Sequence, residues 1–278
     1  MKRYGLIGES LKYSFSPQIH NSAFNIVQID AHYENIEIAE QSFDSHIAKL
    51  KAKGYYGFNI TIPYKGKIIP FLDQVSNDAE MVGAVNTICV VNSQWHGFNT
   101  DIKGFLAPLT KLEYRYNRCL ILGSGGAARA VFYALAKYLK SSEIYIGCRN
   151  LSKGEQIKKH FLSHFDSITC DVFDLSYSEQ VAVSMDMIIN TTPLGMSSHS
   201  SNQPLYFTSG LSRGALVYDL IYNPAYTKLM ETAENTGENI ITLNGLEMLI
   251  AQAAGSFELW TGKKFPYEQV KKELFPGC

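Results

Sequence analysis

Cys119-Leu120-Ile121-Leu122-Gly123-Ser124-Gly125-Gly126-Ala127-Ala128 is the stretch on which the fold turns. Its first four residues are apolar without interruption, as in a strand buried on both faces of a parallel sheet. A glycine turn follows at once. Beyond it Val131, Ala134, Leu135, Tyr138 and Leu139 recur at i, i+3, i+4, i+7 and i+8, one helical stripe suited to lie on a sheet. The turn spells GxGxxA, the dinucleotide form of a strand–turn–helix fingerprint. Gly123 permits the tight turn, Gly125 lets the backbone approach a pyrophosphate, and Ala128 is small enough for close helix–sheet contact. The N–H groups and positive end of the helix then face the phosphates. Gly123, Ser124, Gly125, Gly126 and Ala127 are therefore candidate cofactor contacts. A glycine turn that holds no ligand is the alternative, and the flanking strand and helix weigh against it.

Downstream, residues 142–147, 185–190 and 216–220 read as strands and 153–165 as a helix, a βαβ series. A site for NAD usually ends its second strand on an acid that holds the ribose 2′-OH. Here that strand ends Gly147-Cys148-Arg149-Asn150, with Glu143 at the wrong end and Lys153 behind the turn. A guanidinium grips a phosphate through two hydrogen bonds. Arg149, Asn150 and Lys153 thus point to NADP, against the plainer reading of Arg149 as a solvated loop charge.

Upstream, strands are expected at 4–8, 32–36, 57–62 and 87–91, with helices at 16–26 and 41–53. The last part of the chain carries a strong helical pattern at 245–262 and a short one at 271–274, and pattern alone does not say where this tail packs. The first hundred residues also hold polar sets inside apolar elements. Ser14-Phe15-Ser16-Pro17 presents two hydroxyls before a helix, suited to a carboxylate, although taken by itself the motif reads better as a plain N-cap. Asn59 and Thr61 share one face of a strand that runs through Pro63 to Lys65. Asn86 opens another strand, and Asp101 follows Asn99-Thr100. Each set alone suits a turn or cap. Together they form a plausible site for a polyhydroxylated substrate.

The bulk of the chain limits the alternatives. It has 278 residues, 46% hydrophobic and 18% charged, with a formal net charge of -1. At about 100–200 residues per domain, that length suits one large domain or two modest ones. No basic excess points to nucleic acid. No apolar run approaches the ~18 residues of a membrane span, and no signal-peptide pattern opens the chain. Five cysteines without a CxxC pair read as free thiols in a reducing compartment. The expectation is a cytoplasmic protein with a small-molecule substrate, no nucleic-acid or membrane partner and no metal. His160 and His164, four apart, read as a solvated helix face rather than as metal ligands.

Eight blocks, in order, resemble the signatures of the shikimate dehydrogenase family. They are Ser14-Phe15-Ser16-Pro17, Asn59-Ile60-Thr61-Ile62-Pro63-Tyr64-Lys65, Gly83-Ala84-Val85-Asn86-Thr87 and Asn99-Thr100-Asp101, then the glycine turn Gly123 to Ala128. Asn190-Thr191-Thr192-Pro193-Leu194-Gly195-Met196, Tyr218-Asp219-Leu220-Ile221-Tyr222-Asn223-Pro224 and Asn244-Gly245-Leu246-Glu247-Met248-Leu249 complete the set, with Gln252 after it. The resemblance implies an α/β protein with an N-terminal α/β substrate domain and an NADP-binding Rossmann domain, the active site in the cleft between them. The substrate domain would span 1–103, with helices of 246–278 returning to it, and the cofactor domain 104–245. Ser14 and Ser16 match residues that hold the substrate carboxylate. Thr61, Lys65, Asn86, Asp101 and Gln252 match those on the ring oxygens, and Tyr222 lines the site. Thr191, Leu220 and Gly245 join the glycine turn and Arg149 on the cofactor side. Where many members carry Asn-Arg-Thr, this chain has Cys148-Arg149-Asn150.

The implied reaction is reversible, NADPH-linked reduction of 3-dehydroshikimate to shikimate, a step of chorismate and aromatic amino-acid biosynthesis. Lys65 would give and take the proton, with Asp101 holding lysine and substrate in line. The oligomer would be a monomer or homodimer. Two rivals stand beside this reading: a quinate/shikimate dehydrogenase using NAD or NADP, and an NADP-binding sensor without chemistry.

Overall fold

The structure is a computed structural model and describes residues 1–112, 116–197, 205, 207, 210–236 and 239–276. The chain divides into two compact units, Met1–Gly104 with Ile250–Cys278, and Phe105–Leu249.

The first unit opens with β1 (Lys2–Gly8), α1 (Ser16–Ile26) and β2 (Ala31–Glu37), followed by α2 (Phe43–Lys51) and β3 (Gly57–Ile60). After a short strand β4 (Gln74–Val75) and α3 (Asn77–Val82) come β5 (Thr87–Val91), β6 (Gln94–Phe98) and α4 (Asp101–Leu109). The sheet order is β2-β1-β3-β5-β6-β4. β1 pairs in parallel with β2 and β3 on its two sides, and β5 runs antiparallel to β3 and β6. Lying inside the sheet, β1 buries Tyr4, Leu6 and Ile7, as an apolar run with strands on both sides should. One face packs on Phe43, Ile47, Leu50, Tyr64 and Trp95. Strand β3 stops at Ile60 rather than 62, because Pro63 brings no N–H to continue a ladder. The expected helix at 41–53 begins instead as a 3-10 turn, Glu40–Ser42. Strand β6 was not expected: Gln94, His96 and Gly97 break its apolar pattern. Its hairpin is set by Asn92 and Ser93, with φ of 51° and 65°, the mirror-image turn that suits strand twist.

The second unit is a parallel sheet. Its elements are β7 (Arg118–Leu122), α5 (Gly126–Ala134), β8 (Glu143–Cys148), α6 (Leu151–Leu162), β9 (Thr169–Asp174), α7 (Ser178–Ala182), β10 (Met187–Asn190), β11 (Leu216–Asp219), α8 (Lys228–Glu234) and β12 (Ile241–Leu243). The order β12-β11-β10-β7-β8-β9 places β7 beside β10 at the point where the winding reverses, the ligand-binding crevice of doubly wound sheets. The expected stripe after the glycine turn holds only in part. Val131, Ala134 and Leu135 are buried, yet Tyr138 is 46% exposed. A π-turn at Leu135–Leu139 adds a residue to the last coil and rotates Tyr138 off the packed face.

Two helices finish the chain, α9 (Leu246–Thr261) and α10 (Tyr267–Leu274). Within the first unit α9 lays Trp260 across Gly57, where a Cβ would collide with the indole ring. The indole N–H donates to the Ile88 carbonyl at 2.9 Å, and Phe257 packs on Phe24 with centroids 5.4 Å apart.

Cys89, Cys119, Cys148 and Cys170 are free and buried, while Cys278 lies outside the described residues. Burial pushes the thiols of Cys89, Cys119 and Cys170 up to about 12. No described helix is long and apolar enough to cross a membrane. Among the described residues no cluster of His, Cys, Asp and Glu has metal-holding geometry. His160 and His164 lie with ring centroids 5.3 Å apart and planes tilted, His160 half-buried near the end of α6 and His164 exposed just beyond it.

Candidate active site

In the second unit the glycine turn joins β7 to α5. Gly123 has φ +118°, a conformation closed to side chains, and a Cβ there would meet Thr191 Oγ1 at 2.5 Å. Thr191 is tied to the end of β7, its hydroxyl donating to the Leu122 carbonyl at 2.7 Å. A Cβ on Gly125, by contrast, would meet nothing within 4 Å, so the approach to the turn is open. Gly125 occupies the N-cap of α5 without a side-chain cap, leaving the first-turn N–H groups available. Ser124, Gly126 and Ala127 sit half-buried in the same turn. At the end of the neighbouring strand Arg149 is exposed. Asn150 beside it caps α6, its Oδ1 accepting from the backbone N–H of Lys153 at 3.0 Å. Leu220 and Gly245 meet at the far side, where Gly245 donates to the Ile221 carbonyl at 2.8 Å and the Leu220 carbonyl fills the space of a Cβ. A turn of this shape suits a dinucleotide pyrophosphate, and Arg149 with Lys153 suits an added phosphate.

Asp219, just before Leu220, is fully buried. It accepts from Asn190 Nδ2 at 2.9 Å, Thr227 Oγ1 at 2.7 Å and the Ile221 N–H at 3.1 Å. Burial outweighs these donors and raises its carboxyl to about 6. Tyr222 lies beyond it, half-buried in this second unit.

The first unit gathers most of the remaining candidates. Lys65 Nζ and Asp101 Oδ2 are 2.5 Å apart, with side chains only 15% and 7% exposed. Asn86 Nδ2 donates to the other oxygen, Asp101 Oδ1, at 2.8 Å. The Asp101 N–H donates to Asn99 Oδ1, fixing the carboxylate at the start of α4. Lys65 follows a turn closed by the Tyr64 N–H on the Thr61 carbonyl at 2.9 Å. Ser14 Oγ accepts from the Ser16 N–H at 3.2 Å at the entrance to α1. Gln252 stands on α9, and its carbonyl accepts from Ser256 Oγ at 3.1 Å.

Behind these lies a buried polar layer that residue-by-residue reading did not find: Tyr33, Thr87, Thr100 and Ser256 join Asn59 and Asn86 in one hydrogen-bonded group. Ser256 falls one helical turn after Gln252, a spacing that would have placed it on the same face. His20 is also buried, stacked on Tyr33 at 4.5 Å, with neither ring nitrogen hydrogen-bonded. Burial lowers its pKa to about 3, so the ring is neutral.

Known proteins place this pair of units. Residues 6–88 match the family model described as "Shikimate dehydrogenase substrate binding domain", and 245–275 match "Shikimate 5'-dehydrogenase C-terminal domain". The shikimate dehydrogenase (NADP(+)) of Carboxydothermus hydrogenoformans is 39% identical over 279 residues, covering 100% of this chain and 98% of that protein. The chain belongs to the shikimate dehydrogenase family. Solved members agree in fold. A shikimate dehydrogenase crystallised with NADP+ is 34% identical with a TM-score of 0.86, covering 98% of this chain and 94% of that one. The shikimate 5-dehydrogenase of Listeria monocytogenes, crystallised with shikimate and NAD, is 30% identical with a TM-score of 0.85, covering 99% and 96%.

Proposed function

We propose that this chain is an NADP-linked oxidoreductase that interconverts shikimate and 3-dehydroshikimate, with Lys65 and Asp101 as its proton-transfer pair. The observation that carries the assignment of residues is the 2.5 Å contact between Lys65 and Asp101, backed by Asn86 on the opposite carboxylate oxygen. Bound NADP supplies the hydride acceptor for shikimate oxidation and, when reduced, the donor for the reverse. Everything else falls to the side chains. Ser14 and Ser16 bind the carboxylate of the substrate, and Thr61, Asn86 and Gln252 bind its hydroxyls. In reduction Lys65 gives its proton to the oxygen of the ketone as charge builds there. In oxidation the Lys65 amine takes the proton from the hydroxyl. Asp101 keeps the amine aimed and counters its charge. General acid–base action of this kind is worth about 10²–10⁴ in rate.

On the cofactor side the glycine turn, Thr191, Leu220 and Gly245 bind the dinucleotide, and Tyr222 completes the substrate surface. Arg149, with Lys153 and Asn150 beside it, binds the 2′-phosphate. Four buried free thiols among the described residues and the pathway role in aromatic amino-acid biosynthesis agree with a cytoplasmic enzyme, working as a monomer or homodimer.

The test is shikimate-dependent formation of NADPH, followed spectrophotometrically, with quinate and NAD as the crossed alternatives. Robust turnover with shikimate and NADP is expected. Faster turnover of quinate with NAD would replace this reading by that of a quinate enzyme. No turnover at all would leave a nucleotide-binding protein. Lys65→Ala is expected to cut kcat by about 10²–10⁴ with far less change in substrate affinity. Equal loss in both would make Lys65 a binding residue.

A further inference from the structure

The buried polar atoms behind Asp101 fix one another's direction. An amide side chain has a donor end and an acceptor end, and a neighbour of one character decides which way it points. The Thr100 N–H, which can only donate, lies 2.7 Å from Asn86 Oδ1. Asn86 Nδ2 must therefore face Asp101 Oδ1. The Asn86 carbonyl, which can only accept, lies 3.1 Å from Asn59 Nδ2. Asn59 Oδ1 must therefore face Tyr33, whose hydroxyl donates to it at 2.9 Å. Thr87 Oγ1 receives from Asn59 Nδ2 at 3.1 Å and donates to Asn86 Oδ1 at 3.0 Å. The links form a one-way line of donors, Tyr33 to Asn59 to Thr87 to Asn86 to Asp101, ending on the carboxylate that holds Lys65. Ser256 steadies the middle of it, 2.9 Å from Asn59 Nδ2 and 2.8 Å from Thr87 Oγ1.

We propose that Tyr33 and Thr87 are positioning residues for the Lys65–Asp101 pair, acting through the aligned amides of Asn59 and Asn86. This rests on the assignment of that pair as the proton-transfer groups. Aligned hydrogen bonds in a buried layer polarise one another, so each donor strengthens the next. Without the Thr87 hydroxyl, Asn86 Oδ1 keeps only its donors from Thr100, so the amide keeps its direction but is less polarised and holds Asp101 less firmly. Neither Tyr33 nor Thr87 needs to touch substrate for this.

Thr87→Val keeps the shape and removes the hydroxyl, Thr87→Ser keeps the hydroxyl, and Tyr33→Phe removes the outermost donor. In shikimate-dependent NADPH formation, Thr87→Val is expected to lower kcat about tenfold to a hundredfold, and Tyr33→Phe about threefold to tenfold. KM for shikimate and NADP should stay within about threefold, and Thr87→Ser should recover kcat to within about threefold of the parent. A second measurement needs no turnover. Reductive methylation of the free protein, read by mass spectrometry, should label Lys65 severalfold faster in Thr87→Val, with exposed lysines unchanged. Full kcat in Thr87→Val, the same loss in Thr87→Ser, or unchanged Lys65 labelling each overturns the proposal. An inactive parent whose Lys65 labelling still quickens in Thr87→Val supports the relay and removes the functional reading instead.

Discussion

Among the described residues two carboxylates, Asp101 and Asp219, are nearly or wholly buried, and their partners give them opposite characters. Asp101 is matched by an ammonium at 2.5 Å and an amide donor at 2.8 Å. Removing one member of such a buried pair typically costs about 3–5 kcal/mol, because the other charge is left uncompensated. Asp101→Asn is therefore expected to lower the thermal midpoint as well as kcat, and calorimetry beside the activity assay will read both. Loss of activity at an unchanged midpoint would mean that the pair is not coupled to folding. Asp219 has hydrogen-bond donors but no cation, and burial lifts its carboxyl to about 6. The unfolded chain ionises this group near 3.9. The folded state thus gains from the proton fully below that pH, and the gain is lost as pH rises toward about 6. Asp219→Asn removes this dependence. Its stability relative to the parent should rise by on the order of 2–3 kcal/mol between pH 4 and pH 7. A constant difference across that range in denaturant titrations would refute the assignment.

At the scale of elements, the glycine turn proposed to hold the cofactor and the end of β8 leave neighbouring paired strands. Arg149→Ala is expected to raise KM for NADP about tenfold or more while leaving KM for NAD within about twofold, as loss of a phosphate contact should. Equal effects on both would make Arg149 a general loop charge. The elements most legible in the sequence were those with a single strong pattern. Cys119 to Leu122 is all apolar because β7 is covered on both faces, and Ser16–Ile26 carries proline in its first turn. What escaped had a mixed pattern. β6 alternates polar residues, and β9 places Thr169, Asp171 and Asp174 on a half-exposed edge. At the site, the ionisable and family-signature residues stood out, whereas Tyr33, Thr87 and Ser256 did not. Their role depends on three elements far apart in sequence, β2, β5 and α9, meeting at one buried layer.

For the molecule as a whole, the two units are built to answer acid differently. His20 sits in the first, neutral, with its pKa lowered to about 3. The unfolded chain takes up this proton below about 6.5, so the stability contributed is complete above that pH and is lost as pH falls toward 3. Asp219, in the second unit, contributes in the opposite sense over much of the same range. Hydrogen exchange at pH 7 and pH 4.5 should show peptides of α1, β2 and β3 losing protection, while those of β7, β10 and β11 hold theirs. His20→Phe should remove most of that loss. Uniform loss across both units would show that His20 does not govern it.

The position of Ser256 and Trp260 carries one more consequence. Both belong to the last tenth of the chain or close to it, yet Asn59, Thr87 and the Ile88 carbonyl depend on them. As the polypeptide leaves the ribosome, the opening hundred residues emerge first but lack the partners that close their interior. Residues 105–249 have their whole sheet in hand before α9 is translated. Within this chain the order of synthesis and the order in which the two units gain their last partners are thus reversed.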